Sequence, residues 1–203
     1  MAFNFPNSPS AGDTTTVLGK TWRYSGTAWE AVTGVGPNVN IQLFTPSGSY
    51  DYYPSPGMRY CIAEVVGGGG GSGGVAGASG ALIGAGGGGS GAYSRSLLTA
   101  ADIGTSKTVT VGAGGTAGGS GNNAGGNGGT SSLGSLVTAG GGTGGLGGPS
   151  TAPEPQPGGS AGTGDIAVDG NAGGPTSYNS AAVSPYILPG NGGSSYFGGG
   201  GNA

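Results

Sequence analysis

Only seven of the 55 glycines in this 203-residue chain precede Gly67, and beyond it about one residue in three is glycine. Within that region glycine recurs at every third position in short runs: Gly68, Gly71, Gly74, Gly77 and Gly80, then Gly112 to Gly121, then Gly141, Gly144 and Gly147 beside Gly142, Gly145 and Gly148. Allowing alanine, the period continues from Gly158 through Ala161, Gly164, Ala167 and Gly170 to Gly173. Three is the period of the polyproline II helix, which makes no internal hydrogen bonds and projects its amides and carbonyls sideways. Those groups cost free energy if they leave water unpaired. Glycine at the inward positions lets neighbouring helices approach closely enough to pair them, so the expectation is a hydrogen-bonded bundle of polyglycine II helices. Collagen shares the period but needs an unbroken register and abundant proline. Here the phase shifts repeatedly and there are 13 prolines, which favours short helices joined by turns.

Charge decides between order and disorder. Charged residues make up 6% of the chain, against about 25% in ordinary proteins, and disordered segments usually carry many charges that keep them solvated. A neutral glycine-rich coil would be poorly soluble, so ordered backbone packing is expected. Because ordering glycine costs more backbone entropy than ordering any other residue, stability must come from many cooperative hydrogen bonds and from oligomerisation.

Upstream of Gly67 the patterns are those of β-structure. Thr16 to Tyr24 reads as one strand, Ser25-Gly26-Thr27 as a turn and Ala28 to Val32 as the returning strand, so Trp22, Tyr24 and Trp29 meet across a hairpin. A lone hairpin is marginally stable, which gives residues 1–39 an attachment role. Strands are expected at Ile41–Phe44, Tyr50–Tyr53 and Arg59–Val66. In the last of these Tyr60, Ile62, Glu64 and Val66 share one face, and Cys61, Ala63 and Val65 the other. Further strands are expected at Ala92–Leu98, Lys107–Val111 and Ser131–Thr138. The fold class is therefore all-β, in three parts: an N-terminal β-hairpin module (1–39), an antiparallel β domain with glycine-rich loops (40–138), and polyglycine II layers with aromatic loops (139–203).

Several functions are disfavoured. The lone Cys61 allows no intrachain disulfide. The N-terminus has no basic region followed by an apolar run, and no stretch approaches the about 20 apolar residues of a membrane span, so neither a signal peptide nor membrane insertion is expected. Lys20, Arg23, Arg59, Arg95 and Lys107 are dispersed among eight acidic residues, which argues against nucleic-acid binding. Gly112 to Ala117 and Gly19-Lys20-Thr21 are chance approximations to nucleotide loops, without a βαβ context. With no histidine, hydrolytic triads and transition-metal sites are disfavoured. Asp165 and Asp169 read as turn or capping carboxylates before they read as calcium ligands. Nothing in the spacing of Asp51 and Glu64 selects them as a glycosidase pair. No enzyme activity, cofactor or metal is expected.

The order of motifs resembles a known family. Phe44-Thr-Pro46 is followed by Ile62 to Gly74, Gly86 to Ser94 with its Gly-Ala-Tyr, Val109-Thr-Val-Gly-Ala-Gly-Gly115, Gly129-Thr-Ser-Ser-Leu-Gly134 and Gly164 to Gly170. This series resembles the glycine-rich C-terminal domains of bacteriophage tail fibres over about two-thirds of the chain. Phe5-Pro-Asn-Ser-Pro9, Gly12-Asp13 and Tyr24 to Trp29 resemble short modules at the start of phage tail proteins. The chain departs from the family in ending on Gly198 to Ala203 where such domains often close with an apolar strand. The resemblance implies a virion protein made in the host cytoplasm and often trimeric. Its N-terminal module would hold other tail proteins, and exposed loops would recognise a bacterial surface protein or glycan. Large side chains cannot enter a glycine lattice, so Tyr178, Tyr186, Ile187, Tyr196 and Phe197 lie at its ends or outer face, where they are the candidate receptor-binding residues or, alternatively, cap the lattice or pack between subunits. Trp22, Tyr24 and Trp29 are the candidates for attachment. The rival readings are a purely architectural tail component and an ice-binding protein, the latter requiring regular outward ranks of threonine or small apolar residues.

Overall fold

The computed structural model describes residues 5–17, 20–32, 39–77, 83–148, 154–179 and 186–201. The chain divides into two units, residues 1–42 and 43–203. Its regular secondary structure is mostly β, with antiparallel sheets and almost no helix.

In the first unit the strand expected over Thr16–Tyr24 is two strands, β1 (Thr14–Val17) and β2 (Lys20–Tyr24). With β3 (Trp29–Ala31) they form a three-stranded antiparallel sheet in the order β1-β2-β3. The hairpin between β2 and β3 forms as expected, with Tyr24 opposite Trp29. Ser25 closes its turn through its own amide and hydroxyl, both bonded to the Ala28 carbonyl.

The second unit begins with β4 (Gly48–Tyr52), β5 (Tyr60–Val66) and β6 (Tyr93–Thr99). It continues through a single helical turn α1 (Ala100–Ile103), β7 (Lys107–Val111), β8 (Ser131–Leu133), β9 (Val137–Ala139) and β10 (Ile166–Val168), then β11 (Ser177–Asn179) and β12 (Tyr186–Leu188). Ile41–Phe44, which alternates like a strand, is not one. The strand expected over Ser131–Thr138 is a hairpin, β8 and β9, because Gly134 turns the chain at φ +53, a conformation that disfavours a side chain.

Two sheets enclose the apolar core. A four-stranded sheet, β4-β7-β8-β9, faces a three-stranded one, β10-β6-β5, with β5 and β6 lying against β8 and β9. Leu98, Ile103, Val109, Leu133 and Val137 fill the space between, and Cys61, Ala63 and Val65 face it from β5. Thr99 caps α1 by accepting from the Asp102 amide, and the Asp102 carboxylate accepts from the Thr99 amide. The carboxylate also accepts from the Thr99 hydroxyl at 2.7 Å, and that bond, followed by the one from the Thr99 amide, holds the Asp102 carboxyl below its usual range.

The strands run on into glycine tracts, at residues 67–77, 83–92, 112–121, 123–129, 140–148, 154–160, 170–176 and 190–194. Their backbone hydrogen bonds repeat every three residues. The amides of Gly67, Gly70 and Gly73 donate to the carbonyls of Ala92, Gly89 and Gly86, and those of Gly68, Gly71 and Gly74 to Gly129, Gly126 and Asn123. In return Gly142, Gly145 and Gly148 donate to the carbonyls of Gly68, Gly71 and Gly74, while Gly115, Gly118 and Gly121 donate to those of Gly69, Ser72 and Val75. The tract 67–77 therefore bonds to four others. Consecutive tracts alternate in direction: 83–92 is antiparallel to 67–77, 140–148 parallel to it, and 154–160 antiparallel again.

Glycine serves this array by its missing side chain. A Cβ at Gly67, Gly70 or Gly73 would fall inside 3 Å of a carbonyl in 140–148, and one at Gly68, Gly71 or Gly74 inside 3 Å of a carbonyl in 112–121. Gly69 has nothing closer than 3.8 Å, and the same rank carries Ser72 and Val75, both exposed. How many ranks must be glycine thus reports how many sides are covered. The outlying tract 112–121 needs only Gly112, Gly115 and Gly118 in one rank, and turns Ala113 and Thr116 outward. The tract 83–92 is buried from Gly86 onward and excludes a Cβ at the consecutive positions Gly87, Gly88 and Gly89. Of the described glycines with positive φ, only Gly121, at a chain reversal, belongs to a tract.

Candidate functional site

The array has two distinct ends. At one, Gly67, Ala92, Gly140 and Ser160 are linked by hydrogen bonds next to the sheets, as are Gly68, Gly129 and Ala113. At the other, Gly148 donates to Gly74 and Gly121 to Val75, and Gly84 lies against Thr176. At this far end the described chain turns around Gly121, the tracts 67–77 and 140–148 end, the antiparallel tracts 83–92 and 154–160 begin, and β11 pairs with β12. The ends are separated by eight or nine residues of extended chain, on the order of 25 Å.

The five candidate receptor-binding residues divide between these ends. Tyr178 and Tyr186 lie on the backbone of β11 and β12 at the far end, in a register that sets Tyr178 opposite Ile187 and Asn179 opposite Tyr186. The side chains of Tyr178 and Tyr186 lie outside the described residues. Ile187 is half-buried, and a Cβ at Gly84 would meet its Cγ2 at 3.3 Å, so it covers the end of the central tract.

Tyr196 and Phe197 lie at the sheet end. They follow the tract 190–194, which runs parallel to 83–92 and so returns toward the sheets. There Tyr196 stacks on Tyr93 with ring centroids 3.9 Å apart and planes 1° from parallel, and Phe197 meets both rings edge-on. Tyr93 was not among the candidates. Its sequence signal is the aromatic that ends the Gly-Gly-Gly-Gly-Ser-Gly-Ala run, at the step from tract to strand.

Tyr93 is 3% exposed, and its hydroxyl donates to Glu64 Oε1 at 2.7 Å. Burial, followed by that hydrogen bond, pushes the phenol up from 10.0 to about 12. Ultraviolet titration is expected to show one of the nine tyrosines still protonated above about pH 11. The unfolded chain gives up this proton first. Stability is therefore unaffected by the group below pH 10 and falls as the pH rises through about 12. If Tyr93 ionises near 10 in the folded protein, assigned through Tyr93→Phe, the buried hydrogen bond is disproved.

In the first unit Tyr24 and Trp29 meet across the hairpin with centroids 5.4 Å apart, as expected. Phe5 completes the cluster, stacking on Trp29 at 5.4 Å and 12° and meeting Trp22 edge-on at 5.3 Å. These contacts pin the N-terminal arm across the sheet and occupy faces of both tryptophan rings.

The carboxylates weighed as calcium ligands both accept backbone hydrogen bonds, Asp165 from the Leu97 amide at 2.8 Å and Asp169 from the Ala161 amide. Among the described residues no group of three His, Cys, Asp or Glu side chains gathers as metal ligands. No helix among them is long and apolar enough to cross a membrane.

A small apolar sandwich, continued by tracts whose spacing only glycine permits, defines a class of protein in which backbone hydrogen bonds replace most of the side-chain core. The chain belongs to a glycine-rich domain family, which matches residues 45–203. No curated protein matches it.

Proposed function

We propose that this chain is a non-enzymatic structural protein of a phage tail fibre. In this reading its glycine tracts are polyglycine II helices that display recognition loops to a bacterial surface protein or glycan. The observation that carries the reading is that the tracts are joined at one end through the strands of the core sheets, while their other end stands away from those sheets. Connections that stand at the end of a rigid array, clear of the apolar core, can vary without disturbing its packing, which is what a recognition surface requires. The three-residue period of the hydrogen bonds and the absence of room for a Cβ in the inward ranks support the polyglycine II assignment. The resemblance in motif order supports the phage origin. The aromatic cluster of Phe5, Trp22, Tyr24 and Trp29 supports a compact attachment module for other tail proteins. The assembly is a homotrimer, located in the virion.

Tyr178 and Tyr186 at the far end are the first residues to test. Labelled protein is expected to adsorb to bacteria from a panel of phage-sensitive strains, and Tyr178→Ala with Tyr186→Ala to reduce adsorption at least tenfold, the range of a lost aromatic anchor. Full adsorption by the double variant would remove these residues from the binding surface. Absence of adsorption across the panel would favour a purely architectural tail component.

A further inference from the structure

Alternation along β5 offers two faces, and the core takes the smaller one. Cys61, Ala63 and Val65 turn inward, while Tyr60 and Ile62 stay 60% and 52% exposed. Leu97, 61% exposed, stands opposite Ile62 in the register, and Ile166 on β10 adds a further apolar side chain at 50% exposure on the same outer face. The face continues past Val168 to Tyr93, where Tyr196 and Phe197 cover the ring and are themselves 56% and 67% exposed. A large aromatic side chain presents about 150–250 Å², so these residues together expose on the order of 700 Å². That exceeds the about 300–600 Å² of the largest apolar patch on an ordinary monomer. It approaches the about 800 Å² that each partner contributes to a stable interface.

Two further features select the occupant. Glu64 and Arg95 lie in the middle of the face, 3.9 Å apart and each about half exposed. Charges of both signs side by side match neither a basic nor an acidic surface, but they match their own image, since a copy brought up about a symmetry axis offers a guanidinium to each carboxylate. In addition, β5 is an edge strand of seven residues, paired among the described strands with β6 alone, and it carries no proline or lysine to blunt it.

We propose that the outer face of the β10-β6-β5 sheet is the surface on which a second copy of this chain docks, with Tyr60, Ile62, Leu97 and Ile166 meeting the same face of the neighbour. This inference rests on the oligomeric part of the function proposed above and is independent of its adhesive part. The chain is expected to elute at micromolar concentration with the light-scattering mass of three copies. Ile62→Asp with Leu97→Asp is expected to weaken association at least tenfold and give a single-chain mass with an unchanged circular dichroism spectrum. Leu97→Ser supplies the same comparison should the double variant not fold. Leu146→Asp, on the outward rank of the tract 140–148, is expected to leave the assembly intact. A single-chain mass for the unaltered protein would overturn the proposal, as would an assembly that survives the variants at Ile62 and Leu97. Normal assembly with lost adsorption in the Tyr178 and Tyr186 variant concerns recognition alone. An unaltered mass with Ile62 and Leu97 changed sinks this interface and leaves the adhesive reading standing.

Discussion

Alanine substitution along residues 67–74 is expected to give a stability profile with a period of three. Gly71→Ala places a methyl group inside 3 Å of the Thr116 carbonyl. Its backbone has little room to retreat, because its amide donates to Gly126 at 2.9 Å and its carbonyl accepts from Gly145 at 2.8 Å. Overpacking a core with one or two methylenes costs about 1–3 kcal/mol when neighbouring side chains can adjust. Here the obstacle is backbone held from several sides, so a loss at or beyond ~3 kcal/mol is expected. Gly70→Ala meets the Thr143 carbonyl and is expected to do the same. Gly69→Ala, between them and the severe positions on its other side, meets nothing closer than 3.8 Å. It is expected to stabilise by about 0.5 kcal/mol, because alanine restricts the unfolded chain. Denaturation midpoints for the series provide the check. If Gly69→Ala is as damaging as Gly70→Ala, glycine is required here for some reason other than the approach of a neighbouring backbone.

Ile103→Ala is expected to destabilise the second unit by about 3 kcal/mol, within the 2–5 kcal/mol measured for such truncations. Ile103 is 1% exposed and packs in a cluster whose other fully buried members are Leu98, Val109, Leu133 and Val137. It projects from a single helical turn fixed by the Thr99 and Asp102 cap, which ties the end of β6 to the start of β7. Both strands then continue or originate in the glycine array, so a cavity at Ile103 loosens the base from which the tracts start. Leu146→Ala, in an exposed rank of the array, is expected to cost less than about 1 kcal/mol. Comparable losses at the two positions in chemical denaturation would show that the sandwich core does not anchor the unit.

The strands were legible where alternation and β-branched residues coincide. Lys107–Val111 was read to the residue, and Tyr60–Val66 and Tyr93–Thr99 to within one. The single strand read across Ser131–Thr138 failed because local pattern gives no weight to the turn at Gly134, which lies against the Lys107 side chain. Ile41–Phe44 alternates as a strand does, but alternation supplies no partner, and none pairs with it among the described strands. The candidate aromatics were visible as large residues amid glycine. Their division between the two ends of the array was not, since it depends on the number of chain reversals between Tyr178 and Tyr196.

By itself the sequence determined that backbones must approach one another at a spacing of three residues, and at which residues. A missing Cβ is a local property, and its recurrence at Gly68, Gly71 and Gly74 can be read directly. It also determined that large side chains lie outside the array. Only the tertiary structure decided which backbones meet, because the same absence of a side chain would admit any neighbour. The partner of Gly71 is Gly126, and both belong to one array with 140–148. The tertiary structure also decided which face of β5 turns inward. Cys61, Ala63 and Val65 pack against the core between the sheets, and Tyr60 and Ile62 remain exposed.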